Sequence, residues 1–374
     1  MEPKPPTSSR STSLPLIALT LVAGIALGWL LHDALGGSSP QQPAVLPTAV
    51  APTAIVASTS VTPTEAPPTA AAQEPTDPPA PTVDPPTRTP APTATRTALP
   101  SSPTAEPAAA IAGYAGHAVA EGETLESIAA RGGSTAALIA DYNRLDGEPP
   151  LGRPLVVPQL VGRASELESE PLLVQRGRDE NPWVALTLDA GASAEPVPGI
   201  LKTLREHNAK ITFFLTGAWI KDNPELTREI VADGHEIANH SFTHPDMRNL
   251  SDAAIRKELA DTEALLQETA GATSRPFFRP PFGAYDERVL RLVEGEGYLP
   301  IYWTLDSLDS VGEPKTPAFL LERVTAKLTR EQLRGAIILA HCGSQPTAEA
   351  LPQILDRFAE MGLEVRTVSD VLGR

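Results

Sequence analysis

The run VALTLDAGAS, residues 184–193, has the apolar pattern of a strand that stops on one carboxylate, Asp189, and small residues follow that leave it uncovered. Further along, NHSFTH (239–244) places His240 and His244 four residues apart after another apolar run. If the chain turns helical there, both imidazoles fall on one face and can chelate one divalent ion. Neutral imidazole suits zinc, and cobalt or nickel would also be accepted. In RPPFG (279–283), Arg279 is a partner for a carboxylate, most simply Asp189. The two prolines leave the amide of Phe282 as the first free donor, an oxyanion stabiliser if it stands beside a metal. YWTLDSLDSVG (302–312) offers Asp306 and Asp309, and IILAHCG (337–343) ends on His341. A carboxylate beside an imidazole orients it and raises its pKa, which makes His341 a general acid near neutral pH. The other aspartate then serves a turn or cap. Cys342 follows His341 in a strand and so points to the opposite face, as a small apolar residue.

These groups need a scaffold that gathers strand ends. From 181 to 374 the pattern alternates strand and helix about seven times. Strands are predicted over 184–189, 211–217, 236–241, 277–281, 299–306, 336–341 and 363–367. Helices are predicted over 197–207, 223–233, 251–269, 286–297, 319–328 and 348–361, with Ser251 as an N-cap. Near-continuous apolar strands such as GAIILAH belong to a parallel sheet buried on both faces. The fold class is therefore α/β, a closed or nearly closed parallel barrel of about seven strands. Its chemistry would sit at the C-terminal strand ends, where Asp189, Thr216, Gly217, His240, Arg279, Asp306 and His341 stand.

The preceding half is organised differently. Residues 1–13 are polar and carry Lys4 and Arg10, and 14–31 are eighteen residues without a charge. As a helix that span covers about 27 Å, enough for a bilayer core. Positive residues before it and Trp29 at its far end predict a cytoplasmic N-terminus and export of everything beyond. The segment reads as an uncleaved signal-anchor; ALG at 34–36 is the site at which it would be removed as a signal peptide, which would make the protein secreted. Residues 38–111 are mostly Pro, Thr, Ala, Ser and Val, a disordered linker reaching at most on the order of 200 Å.

At 113–160 the composition changes to a strand, a Glu-Gly turn, two short helices and a closing strand, with Thr124 as an N-cap. The pattern GETLESIAARGG, LIADYNRL and LGRPLVVP resembles a LysM domain over 116–159. The resemblance implies binding to glycan containing N-acetylglucosamine, either peptidoglycan or chitin.

Composition excludes other classes. The net charge of −16 argues against nucleic acid as a partner, and the single cysteine rules out an intramolecular disulfide and a Cys-based zinc cage. No GxSxG, GxGxxG or P-loop motif supports a serine hydrolase, dehydrogenase or NTPase. A monomer is expected.

In order, Asp189, His240 and His244, the RPPFG unit, Asp306 and Asp309, and Leu339-Ala-His341 resemble the polysaccharide deacetylase family over 181–374; it is also called the NodB-homology or carbohydrate esterase family 4 domain. ITFFLTG and GHEIANHSFTHPD add to the match. The resemblance implies a distorted (β/α) barrel and a metal-dependent hydrolase that removes the N-acetyl group of a glycan, here taken to be a cell-wall glycan. It makes Asp189 the catalytic base, His240 and His244 metal ligands, and His341 the general acid. Arg279 orients the base, Asp309 tunes the acid, and Phe282 and Leu339 belong to the oxyanion and substrate-binding region. Two departures stand out. The family's second Asp, a metal ligand, is Ala190 here, so either two histidines hold the ion with extra waters or Asp189 joins them. A family Trp is Ser310, which removes an apolar wall. The alternatives are a wall-binding protein whose barrel has lost its chemistry, and hydrolysis of a different C–N bond on the same scaffold.

Overall fold

A computed structural model describes residues 110–168 and 171–373. The 1–13 segment, the 14–31 span and nearly all of the 38–111 linker lie outside the described residues, among which no helix is long and apolar enough to cross a membrane. The small N-terminal module pairs β1 (Ile111–Ala118) antiparallel with β2 (Pro154–Leu160), with helices Leu125–Arg131 and Ala136–Tyr142 between them. Thr124 caps the first helix by accepting from the Ser127 amide, while Ser127 accepts from the Thr124 amide, so two donors that the helix cannot satisfy are both paired. Leu125, Ile128, Ile139, Leu155 and Val157 fill its small core.

Eight strands make the second sheet: β3 (Trp183–Ala190), β4 (Thr212–Leu215), β5 (Glu236–Asn239), β6 (Phe277–Phe278), β7 (Leu299–Pro300), β8 (Leu305–Asp306), β9 (Ile337–His341) and β10 (Glu364–Arg366). Their order is β7-β6-β5-β4-β3-β9-β8, with β10 paired to the start of β3, and every pairing is parallel. Residues 299–306, predicted as one strand, form two, because this stretch serves both edges of the sheet. Only residues 301–304 separate β7 from β8, and four extended residues span at most about 14 Å. The sheet must therefore curl until its edges nearly meet. Val174 completes the seam by bridging to Ile301.

Helices pack on the outside. Val197–Glu206 contributes Val197, Ile200, Leu201 and Leu204 to one large apolar cluster, and Gln345–Glu360 contributes Leu351, Ile354 and Phe358. Each such side chain stabilises the fold by about 1.5–3 kcal/mol on burial. Short helices at Gly217–Asp222, Arg330–Leu333 and Val368–Gly373 were not predicted. The first of these matters to the site, because Gly217 and Ala218 donate their amides to the carbonyls of Ser241 and Phe242 in the loop after β5.

A Cβ on Gly217 would stand 2.1 Å from the Phe242 ring. Gly217→Ala is predicted to cost about 1–3 kcal/mol by overpacking. Thermal unfolding should show this as a lowered Tm, and an unchanged Tm would mean that the loop yields freely.

Candidate active site

Strand register builds the site. Asp189 on β3 lies opposite His341 on β9, and Asn239 on β5 lies opposite Phe278 on β6, so His240 and Arg279 each follow by one residue. All four groups therefore stand on one rim, the C-terminal end of the sheet. The rim surrounds a cavity of about 510 Å³ whose walls include Asp189, His240, His244, Phe282, Leu339 and His341.

Arg279 lies at the bottom, fully buried. Its Nη1 donates to Asp189 Oδ1 at 2.5 Å and to Thr187 Oγ1 at 2.9 Å, and Nη2 donates to the Tyr302 carbonyl at 3.2 Å. The guanidinium also lies 3.9 Å from the centre of the Phe214 ring. Burial pulls Arg279 below the usual arginine range, and the charge of Asp189 opposes that shift. Asp189 thus has one oxygen fixed by a buried cation. Its other oxygen, Oδ2, lies 3.5 Å from His240 Nε2. Thr187 was not foreseen as a site residue, although its position two before Asp189 puts it on the same strand face.

The histidines meet by a different route from the predicted helical turn. Ser241 and His244 both have positive φ, at 65° and 59°, so the chain doubles back in a loop. Two side chains hold that loop. The Asn239 oxygen accepts from the Ser241 amide at 2.9 Å, and Glu258 accepts from the amides of Phe242 and Thr243 at 2.8 and 2.7 Å. No sequence signal marked Glu258, which stands on the far helix Asp252–Ala270. The loop sets the two imidazole centres 4.8 Å apart.

His240 Nδ1 lies 2.9 Å from the Arg279 carbonyl, which can only accept. Nδ1 therefore carries the proton, and the lone pair on Nε2 faces Asp189 and the cavity, the tautomer a metal ligand needs. Burial drives the His240 pKa down to about 4, with Asp189 opposing, so the ring is neutral at pH 7. Burial also lowers His244. The donor set on offer is two neutral imidazoles, with Asp189 Oδ2 beside one of them. Among the described residues no three His, Cys, Asp or Glu side chains are disposed to enclose an ion. Ala190 cannot supply the missing oxygen; its methyl packs in the apolar cluster with Leu215 and Trp219. To a divalent ion these residues offer two nitrogens, with Asp189 Oδ2 beside His240 and no enclosing third ligand among the described residues.

Across the cavity, His341 Nδ1 lies 2.7 Å from Asp309 Oδ1. Asp309 is wholly enclosed, its Oδ2 accepting from the His341 amide at 2.9 Å and from Thr347 Oγ1 at 2.6 Å. Burial works against the charged form of His341, but the Asp309 hydrogen bond and the charges of Asp189 and Asp309 outweigh it and lift its pKa above the ordinary histidine value. Asp306 has the other duty: its Oδ1 accepts from the Leu308 amide and closes a turn. Ser310 Oγ lies 3.4 Å from His341 Nε2, at the cavity wall. Phe282 has φ 59° and is 72% exposed, with its ring edge-on to His244 at 4.5 Å between centres. Cys342 is buried, which pushes its thiol up to about 12 and leaves it protonated and inert. Trp303, a cavity wall residue stacked on Tyr302 at 3.9 Å, was another omission.

Two family models match the chain: Polysaccharide deacetylase over residues 176–301 and LysM domain over 117–158. The uncharacterized protein YlxY of Bacillus subtilis is 32% identical over 206 residues, which are 55% of this chain and 61% of YlxY, so the chain spans less than two thirds of that relative. A Bacillus cereus peptidoglycan-N-acetylglucosamine deacetylase is 30% identical over 189 residues, covering 50% of this chain and 66% of that one. Among solved structures, a CE4 family pseudoenzyme from Bacillus anthracis superposes with a TM-score of 0.51 at 32% identity, over 55% of this chain and 70% of its own. A mutant of that pseudoenzyme with restored enzymatic activity matches equally, at 33% identity and over 72% of its length.

Removing the Asp309 charge should release His341. In Asp309→Asn the imidazole pKa, followed by its ring proton shifts in NMR, should fall to or below that of a free histidine. Sign follows: a raised folded pKa stabilises the wild type fully below the unfolded value, and this contribution is lost as pH rises through the folded one. Wild type should therefore lose stability across that window and Asp309→Asn should not. A second variant, Arg279→Leu, strands Asp189 without its counter-ion and should cost about 3–5 kcal/mol in chemical unfolding.

Proposed function

Because the chain belongs to the polysaccharide deacetylase family, carbohydrate esterase family 4, we propose that it is an exported N-deacetylase of N-acetylglucosamine-type residues in cell-wall glycan. The observation that carries this reading is the pairing of two differently tuned groups across one cavity: Asp189 fixed by Arg279, and His341 raised by Asp309. Their roles follow from position. Asp189 Oδ2 takes a proton from the attacking water, and Arg279 keeps the carboxylate aimed. The Phe282 amide donates to the oxygen of the acetamide as its carbonyl becomes tetrahedral. His341 then passes the proton on its free nitrogen to the leaving amine, while Asp309 stabilises the imidazolium. The new C–O bond and the broken C–N bond yield acetate and a free amine.

His240 Nε2 and His244, with Asp189, are the residues that would hold a divalent ion, zinc by preference and cobalt or nickel as substitutes. When bound, such an ion supplies Lewis acidity to the acetamide and to the water. The LysM module supports glycan containing N-acetylglucosamine as the partner, and the 14–31 segment would keep the protein at the outer face of the membrane as an anchored monomer.

A second reading has its own observation. Ala190 leaves the site one carboxylate short, and a pseudoenzyme of the same family has a similar fold. In that case the protein binds wall glycan without hydrolysing it.

Acetate release from N-acetylglucosamine oligomers by the full chain separates the two. Release that stops with chelator and returns with zinc or cobalt supports the hydrolase; no release with any metal supports the binding protein. His341→Ala should lower kcat by about 10²–10⁴-fold. The alkaline limb of the pH profile should report the raised His341 pKa and move to lower pH in Asp309→Asn. Calorimetric zinc titration should show His240→Ala losing more than about tenfold in affinity, since even an outer-shell change does as much.

A further inference from the structure

The LysM module and the barrel belong to one compact unit, and their contacts lie at the end of the sheet opposite the cavity. Asp189 marks the mouth of β3. The module instead meets the starts of the strands, with Val156 of β2 sharing an apolar cluster with Ala185, Phe277, Leu299 and Ile337. Ala185 begins the pairing of β3 with β9, and Phe277, Leu299 and Ile337 are the first residues of β6, β7 and β9.

Polar groups are buried in this contact to a degree unusual for a mobile tether. Arg144 of the module donates to Glu236 Oε1 at 2.7 Å and to the Arg275 carbonyl at 2.5 Å. Glu236, the first residue of β5, is 8% exposed, and its other oxygen accepts from Thr212 Oγ1 at 2.7 Å. The Tyr142 hydroxyl donates to the Gly297 carbonyl at 2.7 Å and accepts from Arg275 Nη1 at 3.0 Å. Arg153, only 2% exposed, reaches the Ser369 carbonyl at 3.4 Å while its Nε has no partner. Undocking would leave Glu236 without its cation and expose the apolar starts of several strands. The module on its own has a core too small to be more than marginally stable.

We propose that the LysM module is the floor of the barrel: the two fold and unfold as a single cooperative unit, and the module face bearing Tyr142, Arg144 and Val156 is closed to glycan. This inference stands on the interface alone and would survive loss of the hydrolase reading. Hydrogen exchange read by mass spectrometry on the full wild-type chain, through a denaturant series, tests it. Peptides from 117–142 and from 184–190 should become unprotected at the same denaturant concentration. Arg144→Leu, a change in the module, should speed exchange in the strands of the barrel by at least about tenfold. Module peptides that open at lower denaturant than the strands, or an effect of Arg144→Leu confined to the module, would overturn the proposal. The wild-type comparison decides the matter even if the variant does not fold.

Discussion

The buried pair of Arg279 and Asp189 is the constraint on which the rest of the site depends. A guanidinium with no exposure is costly to desolvate, and the barrel tolerates it because Asp189, Thr187, the Tyr302 carbonyl and the Phe214 ring surround it. The same arrangement leaves one carboxylate oxygen facing the cavity. The Arg279 carbonyl, in turn, sets the tautomer of His240. One residue at the end of a two-residue strand therefore orients both a carboxylate and an imidazole. A shorter or neutral side chain at 279 would release Asp189, whereas the contact with His240 is made by the backbone carbonyl.

Opposed environments divide the labour between the histidines. His240 is buried among groups that keep it neutral, with a pKa near 4. His341 sits beside an enclosed carboxylate and is pushed the other way. The same side chain thus offers a lone pair on one wall and a proton on the other. Asp309 contributes from outside the cavity lining, which is why its own bonds to Thr347 and to the His341 amide matter.

Much of this was legible in the residues. Apolar strands ending on ionisable groups are visible in VALTLDAGAS and IILAHCG, because a sheet buried on both faces leaves little freedom in composition. The pairing of Arg279 with Asp189 could be guessed from charge alone. What escaped lies in tertiary contacts between distant segments. Glu258 holds the histidine loop from a helix on the outside, and Thr347 supports Asp309 from a helix that follows the last site residue. The six-residue helix at Gly217–Asp222 is too short for a periodic signal. The break at 301–304 follows from closure of the sheet, which no local pattern encodes.

The most direct measurement compares single-turnover deacetylation of an N-acetylglucosamine oligomer by wild type and by Asp189→Asn, an isosteric change that keeps the shape and removes the basic oxygen. The account predicts amine formation by wild type and a rate at least about a hundredfold lower in the variant. Equal rates in the two proteins would contradict it, because the carboxylate held by Arg279 would then have no part in the chemistry.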